Sequence, residues 1–140
     1  MKEVVVAVDP GREKCGIAVV HKDKGVLYKA IVDTAELAQT VRAAMQDYAA
    51  GVVALGAGTS SKKAGAMISA ANKTIQIALV DEYRTTEAAR RRYWQENPPG
   101  GLKRFIPVSM LAPPVPVDDY AAVIIAEKYL SQRQAAANIL

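Results

Sequence analysis

Four carboxylates lie where this chain could gather a metal ion. Asp9 directly follows the apolar run Val4–Val8, Glu82 follows Ile75–Val80, and Asp118 with Asp119 opens the last long stretch of helical periodicity. Ligands of an α/β sheet collect beyond the carboxyl ends of its parallel strands. If the first and fifth strands lie close, these acids converge although they are far apart in sequence. Hard cations such as Mg²⁺ or Mn²⁺ take oxygen ligands, often a few carboxylates completed by substrate phosphate. Two such ions can activate a water and stabilise the leaving oxygen of a phosphodiester. The remaining inventory is sparse. His21 is the only histidine and Cys15 the only cysteine, which excludes a disulfide framework, a multi-cysteine zinc site and a histidine-rich metal site. Nothing supports a Ser-His-Asp triad, so metal-assisted hydrolysis is the catalysis this chain is best equipped for.

Each acid also has a plainer use. Asp9 suits the turn Asp9-Pro10-Gly11, Glu82 could be an exposed strand end, and Asp118 fits a helix N-cap. Capping and metal binding are compatible, because a carboxylate has two oxygens. The Gly56–Ser60 turn reads either as a tight turn or as a phosphate cradle, with its backbone N–H groups and the Thr59 or Ser60 hydroxyl facing substrate. Lys62, Lys63, Lys103 and Arg104 follow the site strands or lie in the long loop, where phosphate contacts are natural. Lys14 could offset phosphate charge or simply be solvated. Arg90-Arg91-Arg92 would spread around a helix, and Trp94 could stack on a base or fill the core.

The elements needed to place these residues are legible in the hydrophobic pattern. Val4–Val8, Gly16–Val20 and Val26–Val32 read as an antiparallel meander. Thr34–Ala50 has Leu37, Val41, Ala44, Met45 and Tyr48 at helical spacing, with Thr34 as cap. Val52–Leu55 is then a buried strand, Ser61–Ala71 a small-residue helix and Ile75–Val80 another strand. Thr85 or Thr86 caps a helix to Trp94, and Asp118 caps a last helix through Leu130, with the Ala-rich end extending or fraying it. Alternating strands and helices in this half predict parallel strands with right-handed crossovers. Between the last two helices, Asn97–Val117 holds six of the seven prolines; a loop that long usually has a function or is mobile.

A length of 140 residues predicts one domain, 1–140. With 51% hydrophobic and 23% charged residues the composition is that of a globular protein. The net charge of +4 is compatible with a polyanionic partner, while 6% aromatics argue against a surface built mainly from stacked rings. The apolar run after Met1-Lys2-Glu3 is too short for a signal peptide or membrane span, so a cytoplasmic location is expected.

Four segments in order, Asp9-Pro10-Gly11 with Lys14 and Gly16, Gly56-Ala57-Gly58-Thr59, Asp81-Glu82 and Asp118-Asp119-Tyr120-Ala121-Ala122, resemble the YqgF family of RNase H-like proteins. That family is related to RuvC-type Holliday junction resolvases and includes the pre-16S ribosomal RNA nuclease. The resemblance covers the chain to about Leu130. It implies an α/β, RNase H-like fold: a five-stranded mixed sheet of order 3-2-1-4-5 flanked by helices. It also implies an acidic triad of Asp9, Glu82 and Asp118 binding Mg²⁺ or Mn²⁺, with Asp119 the second choice for the third ligand. Three positions depart from it. Arg12-Glu13-Lys14-Cys15 replaces the usual Lys-Arg before Gly, and Tyr83 stands where an Arg is typical. The fourth strand ends in Gly56, where RuvC-type resolvases carry a Glu, so that carboxylate would have to come from Glu82. A side branch with a different substrate is one reading of these departures.

The expected activity is metal-dependent hydrolysis of phosphodiester bonds in structured DNA or RNA, by a monomer or homodimer with no membrane partner. Its main rival is a non-catalytic RNase H-like nucleic-acid-binding module, as in factors resembling Tex and Spt6. A nucleotide-binding protein of the actin-like ATPase superfamily is a weaker third, since that fold normally needs two such domains.

Overall fold

The computed structural model describes residues 3–139; Met1, Lys2 and Leu140 lie outside the described residues. Five strands form one sheet: β1 (Val4–Asp9), β2 (Lys14–His21), β3 (Gly25–Asp33), β4 (Val52–Gly56) and β5 (Gln76–Val80). Their order is β3-β2-β1-β4-β5, with β1, β2 and β3 antiparallel and β1, β4 and β5 parallel. The helices are α1 (Leu37–Asp47), α2 (Ser61–Ala71), α3 (Thr85–Glu96) and α4 (Asp118–Ile139). The sheet order and flanking helices are those of an RNase H-like fold.

β1 is the centre of the sheet, and Val5 to Val8 are buried on both faces, as a continuous β-branched run requires. Val6 and Val8 join Ile17, Leu55, Leu37 and Ile68 under α1 and α2. On the opposite face Ala7, Ala18 and Ala54 meet Ala122, Ile125 and Ala126 of α4. Small residues on both sides bring α4 close to the sheet. α3 covers its outer side, packing Ala89 against Tyr120, Ala121 and Ile124. Enclosed between sheet and α3, α4 is buried at every position from Tyr120 to Ala126, which explains its lack of a polar stripe. Among the described residues, no helix is long and apolar enough to cross a membrane.

Several helix ends differ from the sequence reading. Thr34 does not cap α1. It starts a 3-10 turn (Thr34–Glu36), and its hydroxyl donates to the Gly11 carbonyl at 3.0 Å, beside Cys15 Sγ at 3.3 Å. The β1–β2 turn has taken the hydroxyl, and α1 spans only Leu37–Asp47. α3 is entered through Arg84 in the left-handed region (φ 58°), without a side-chain cap. Asp118 is the first residue of α4 rather than its cap, since the first helical bond runs from Ala121 N–H to Val117 C=O at 2.9 Å. The same helix passes Leu130 and continues to Ile139. The proline-rich segment is not wholly irregular, for it holds 3-10 turns at Gly101–Phe105 and Val108–Met110.

Candidate functional site

Asp9 ends β1 opposite Gly16 of β2. On its other side the parallel register pairs Val8 with Leu55, and Gly56 with Val80. Asp9, Gly56 and Val80 therefore finish three adjacent strands at one edge of the sheet. Glu82 lies two residues beyond that edge and reaches back over β4. A Cβ built on Gly56 would stand 2.4 Å from Glu82 Oε1, and one on Gly58 would stand 2.4 Å from Oε2. The Glu82 carboxylate thus fills the space that two absent side chains leave free, and this brings it to Asp9.

The third acid arrives with α4. A Cβ on Gly16 would be 1.8 Å from the Asp118 carbonyl oxygen, so only glycine lets the helix start rest on β2 directly beside Asp9. Asp118 and Asp119 then part company. Asp119 Oδ2 accepts from Lys29 Nζ at 3.2 Å and its Oδ1 from the Tyr120 N–H at 2.9 Å. That Lys29 ammonium also lies 4.3 Å from the centroid of the Tyr120 ring. The Asp118 carboxylate has no hydrogen-bond donor among the described residues.

The electrostatics record the convergence. Burial, then the charges of Glu82 and Asp118, and a hydrogen bond with Glu82 push the Asp9 carboxyl from the ordinary 3.8 up to about 7. Burial and the neighbouring Asp119 also raise Asp118.

Glu82 sits on an organised turn. The Asp81 carboxylate accepts from the Tyr83 N–H at 3.1 Å, and the Thr85 N–H donates to the Glu82 carbonyl at 3.0 Å. Lys128 of α4 closes the turn: its Nζ donates to the carbonyls of Asp81 (3.2 Å) and Tyr83 (2.6 Å) and to the Thr85 hydroxyl (3.3 Å). Nothing local in the sequence singles out Lys128, because its partners lie more than 40 residues upstream.

The expected phosphate-contact residues divide. Thr59 and Ser60 line a cavity of about 240 Å³ between the β1–β2 turn and the start of α2, together with Arg12, Thr34 and Lys63. Arg12 is a lining residue that the sequence does not single out, and Lys63 rather than Lys62 faces this cavity. Lys14 pairs instead with Asp33 at 2.8 Å on the exposed strand edge. Lys103 and Arg104 lie apart, in the turn Gly101–Phe105. Of the arginine triplet, Arg92 forks onto both oxygens of Glu127 at 2.8 and 2.7 Å, tying α3 to α4.

Among the described residues, no group of three or more His, Cys, Asp or Glu side chains stands at metal-holding spacing. The donor chemistry nonetheless fits a hard divalent cation. The converging groups are all carboxylates, and their mutual repulsion is what a positive charge relieves. Asp9, Glu82 and Asp118 are the residues that would hold it.

No family model and no curated protein matches the chain by sequence. Solved structures do match. Partial overlays include the ethanolamine utilization protein EutJ from Carboxydothermus hydrogenoformans, at TM-score 0.43 and 16% identity over 61% of this chain and 39% of that one. An exopolyphosphatase from Cytophaga hutchinsonii gives 0.42 and 12% over 66% and 38%. The RuvC structure from Thermus thermophilus overlays far more completely, with TM-score 0.61 and 16% identity over 94% of this chain and 96% of that chain. Nearly the whole chain therefore shares its RNase H-like fold with a RuvC structure.

Proposed function

We propose that this protein is a divalent-metal-dependent nuclease of the YqgF type, hydrolysing phosphodiester bonds in structured DNA or RNA. The observation that carries this reading is the Glu82 carboxylate laid over Gly56 and Gly58 beside Asp9. Gly56 occupies the strand end where RuvC-type resolvases carry a glutamate, and here an acid from just beyond the next strand, Glu82, fills that space. When bound, Mg²⁺ or Mn²⁺ supplies an activated water and offsets charge at the scissile phosphate. Deprotonated Asp9, Glu82 and Asp118 would hold the ion through their carboxylate oxygens. Lys29 neutralises Asp119, which limits the negative charge at the site. Arg12, Lys63, Thr59 and Ser60 receive a neighbouring phosphate of the same strand.

The test is cleavage by wild-type and Asp9→Asn protein of a four-way DNA junction, linear single- and double-stranded DNA, and a structured ribosomal RNA precursor. Each substrate is run with Mg²⁺, Mn²⁺ or EDTA. Metal-dependent cutting that is lost in Asp9→Asn is the expected result, and the preferred substrate identifies the branch. The departures at Arg12-Glu13-Lys14-Cys15 and Tyr83 favour a second reading, a binding module without catalysis. Equal binding by both proteins with no cutting of any substrate would establish that reading instead.

A further inference from the structure

The segment between α3 and α4, Asn97–Val117, contains no acidic residue. It is fastened at several points. The Asn97 amide donates to the Tyr93 carbonyl at 3.0 Å and to the Tyr120 hydroxyl at 3.3 Å, and Trp94 Nε1 donates to the Leu111 carbonyl at 3.4 Å. The Val108–Met110 turn sits on the first half of α3, sharing a cavity of about 190 Å³ with Glu87, Arg90 and Arg91. Between these anchors the apolar side chains face outward: Leu102 is 84%, Phe105 73% and Met110 75% exposed. Exposed apolar groups clustered on a fastened segment mark a contact surface rather than a packing residue.

The surrounding charge selects the partner. Lys103 and Arg104 flank Phe105, with the Arg104 guanidinium 4.9 Å from the ring centroid. Arg90 and Arg91 lie by the neighbouring turn, where they outnumber the one acid, Glu87. A second copy docking by two-fold symmetry would set these cations against themselves, whereas a polyanion complements them. One root of the segment adjoins the carboxylate site, since Val117 precedes Asp118; the other, Asn97 at the far end of α3, is tied to the start of α4 through Tyr120.

We propose that Gly101–Met110 is a wedge that takes an unpaired base of the nucleic acid. Phe105 and Arg104 stack on the base, Leu102 and Met110 press on its neighbours, and Lys103 meets the adjoining phosphate. Apolar side chains inserted beside bases, and stacking on an aromatic ring backed by arginine, are general devices of nucleic-acid recognition. The proposal rests on the nucleic-acid reading above and deepens it: the preferred substrates are those with unstacked bases, at branches or bulges.

The test is fluorescence anisotropy in EDTA with the full chain, on a four-way DNA junction, a hairpin with 2-aminopurine in a bulge, and an uninterrupted duplex. Wild type is expected to prefer the junction and the bulge over the duplex by about tenfold, with a change in 2-aminopurine emission. Phe105→Ala should lose that preference and the emission change, keep its duplex affinity, and melt as wild type does; Phe105→Tyr should restore both. An unchanged preference in Phe105→Ala overturns the wedge. So does a Phe105→Ala variant that sediments as a smaller species, or that loses binding only to phosphatidylserine vesicles. If Asp9→Asn abolishes cutting while Phe105→Ala keeps the preference, only the wedge fails. If wild type binds none of the nucleic acids, both readings fail together.

Discussion

Asp9 shows in a single group what gathering carboxylates costs the fold. Its carboxyl is raised from 3.8 to about 7 by burial and by neighbouring acids, so between these values the folded protein holds a proton that the unfolded chain has released. The stability from protonated Asp9 is present in full below about pH 4 and is lost as pH rises through 7. At pH 8 in EDTA the site carries uncompensated charge, and Asn in place of Asp9 removes part of it while still able to donate to Glu82. Asp9→Asn is therefore expected to melt several degrees higher than wild type at pH 8 in EDTA, on the order of 1–3 kcal/mol, and equally or lower at pH 4. Added Mg²⁺ should raise the wild-type melting temperature and leave that of the variant nearly unchanged. Scanning calorimetry at the two pH values measures this, and a variant less stable at pH 8 would contradict it.

At the scale of elements, α4 is the organiser. It brings Asp118 against Gly16, buries Tyr120–Ala126 between sheet and α3, and sends Lys128 to the turn that presents Glu82. Lys128 touches no reacting atom in this scheme and acts as a positioning residue. Lys128→Met removes the three donations that hold the turn, and Glu82 drifts from Asp9. Turnover is expected to fall about tenfold with little change in substrate Kd. The acid limb of the pH–rate profile should also move to lower pH, because a negative charge has left the neighbourhood of Asp9. General loosening of the fold would lower activity without moving that limb. Much of this level is legible in the sequence. The α2 span Ser61–Ala71 and the β1 and β4 strands are local patterns, a small-residue helical period and continuous β-branched runs. The helix starts at Thr34 and Asp118 are not legible in the same way. The Thr34 hydroxyl is used by a loop distant in sequence, and Val117 begins the helical bonding of α4 with its backbone alone.

At the scale of the whole molecule, a net charge of +4 is too small to hold a polyanion by itself; its distribution matters more. Arg12 and Lys63 gather at the cavity beside the carboxylates, and Lys103, Arg104, Arg90 and Arg91 at the segment before α4. Duplex affinity should fall linearly on a logarithmic salt scale. The double variant Arg12→Ala/Lys63→Ala is expected to flatten that slope by roughly two, about one for each phosphate no longer neutralised, and equally for every base sequence. Binding titrations from low to moderate salt measure the slope, and an unchanged value would place the phosphates elsewhere.

The sequence by itself determined the order of strands and helices, the central buried strand and the presence of acids at strand ends, because each follows from local periodicity and turn chemistry. Only the tertiary structure decided that Glu82 lies over Gly56, that Lys29 takes Asp119 and leaves Asp118 without a donor among the described residues, and that Lys128 ties down the Glu82 turn. Those choices depend on strand register and on how closely α4 approaches the sheet. Such contacts join residues tens of positions apart and leave no periodic trace in the chain.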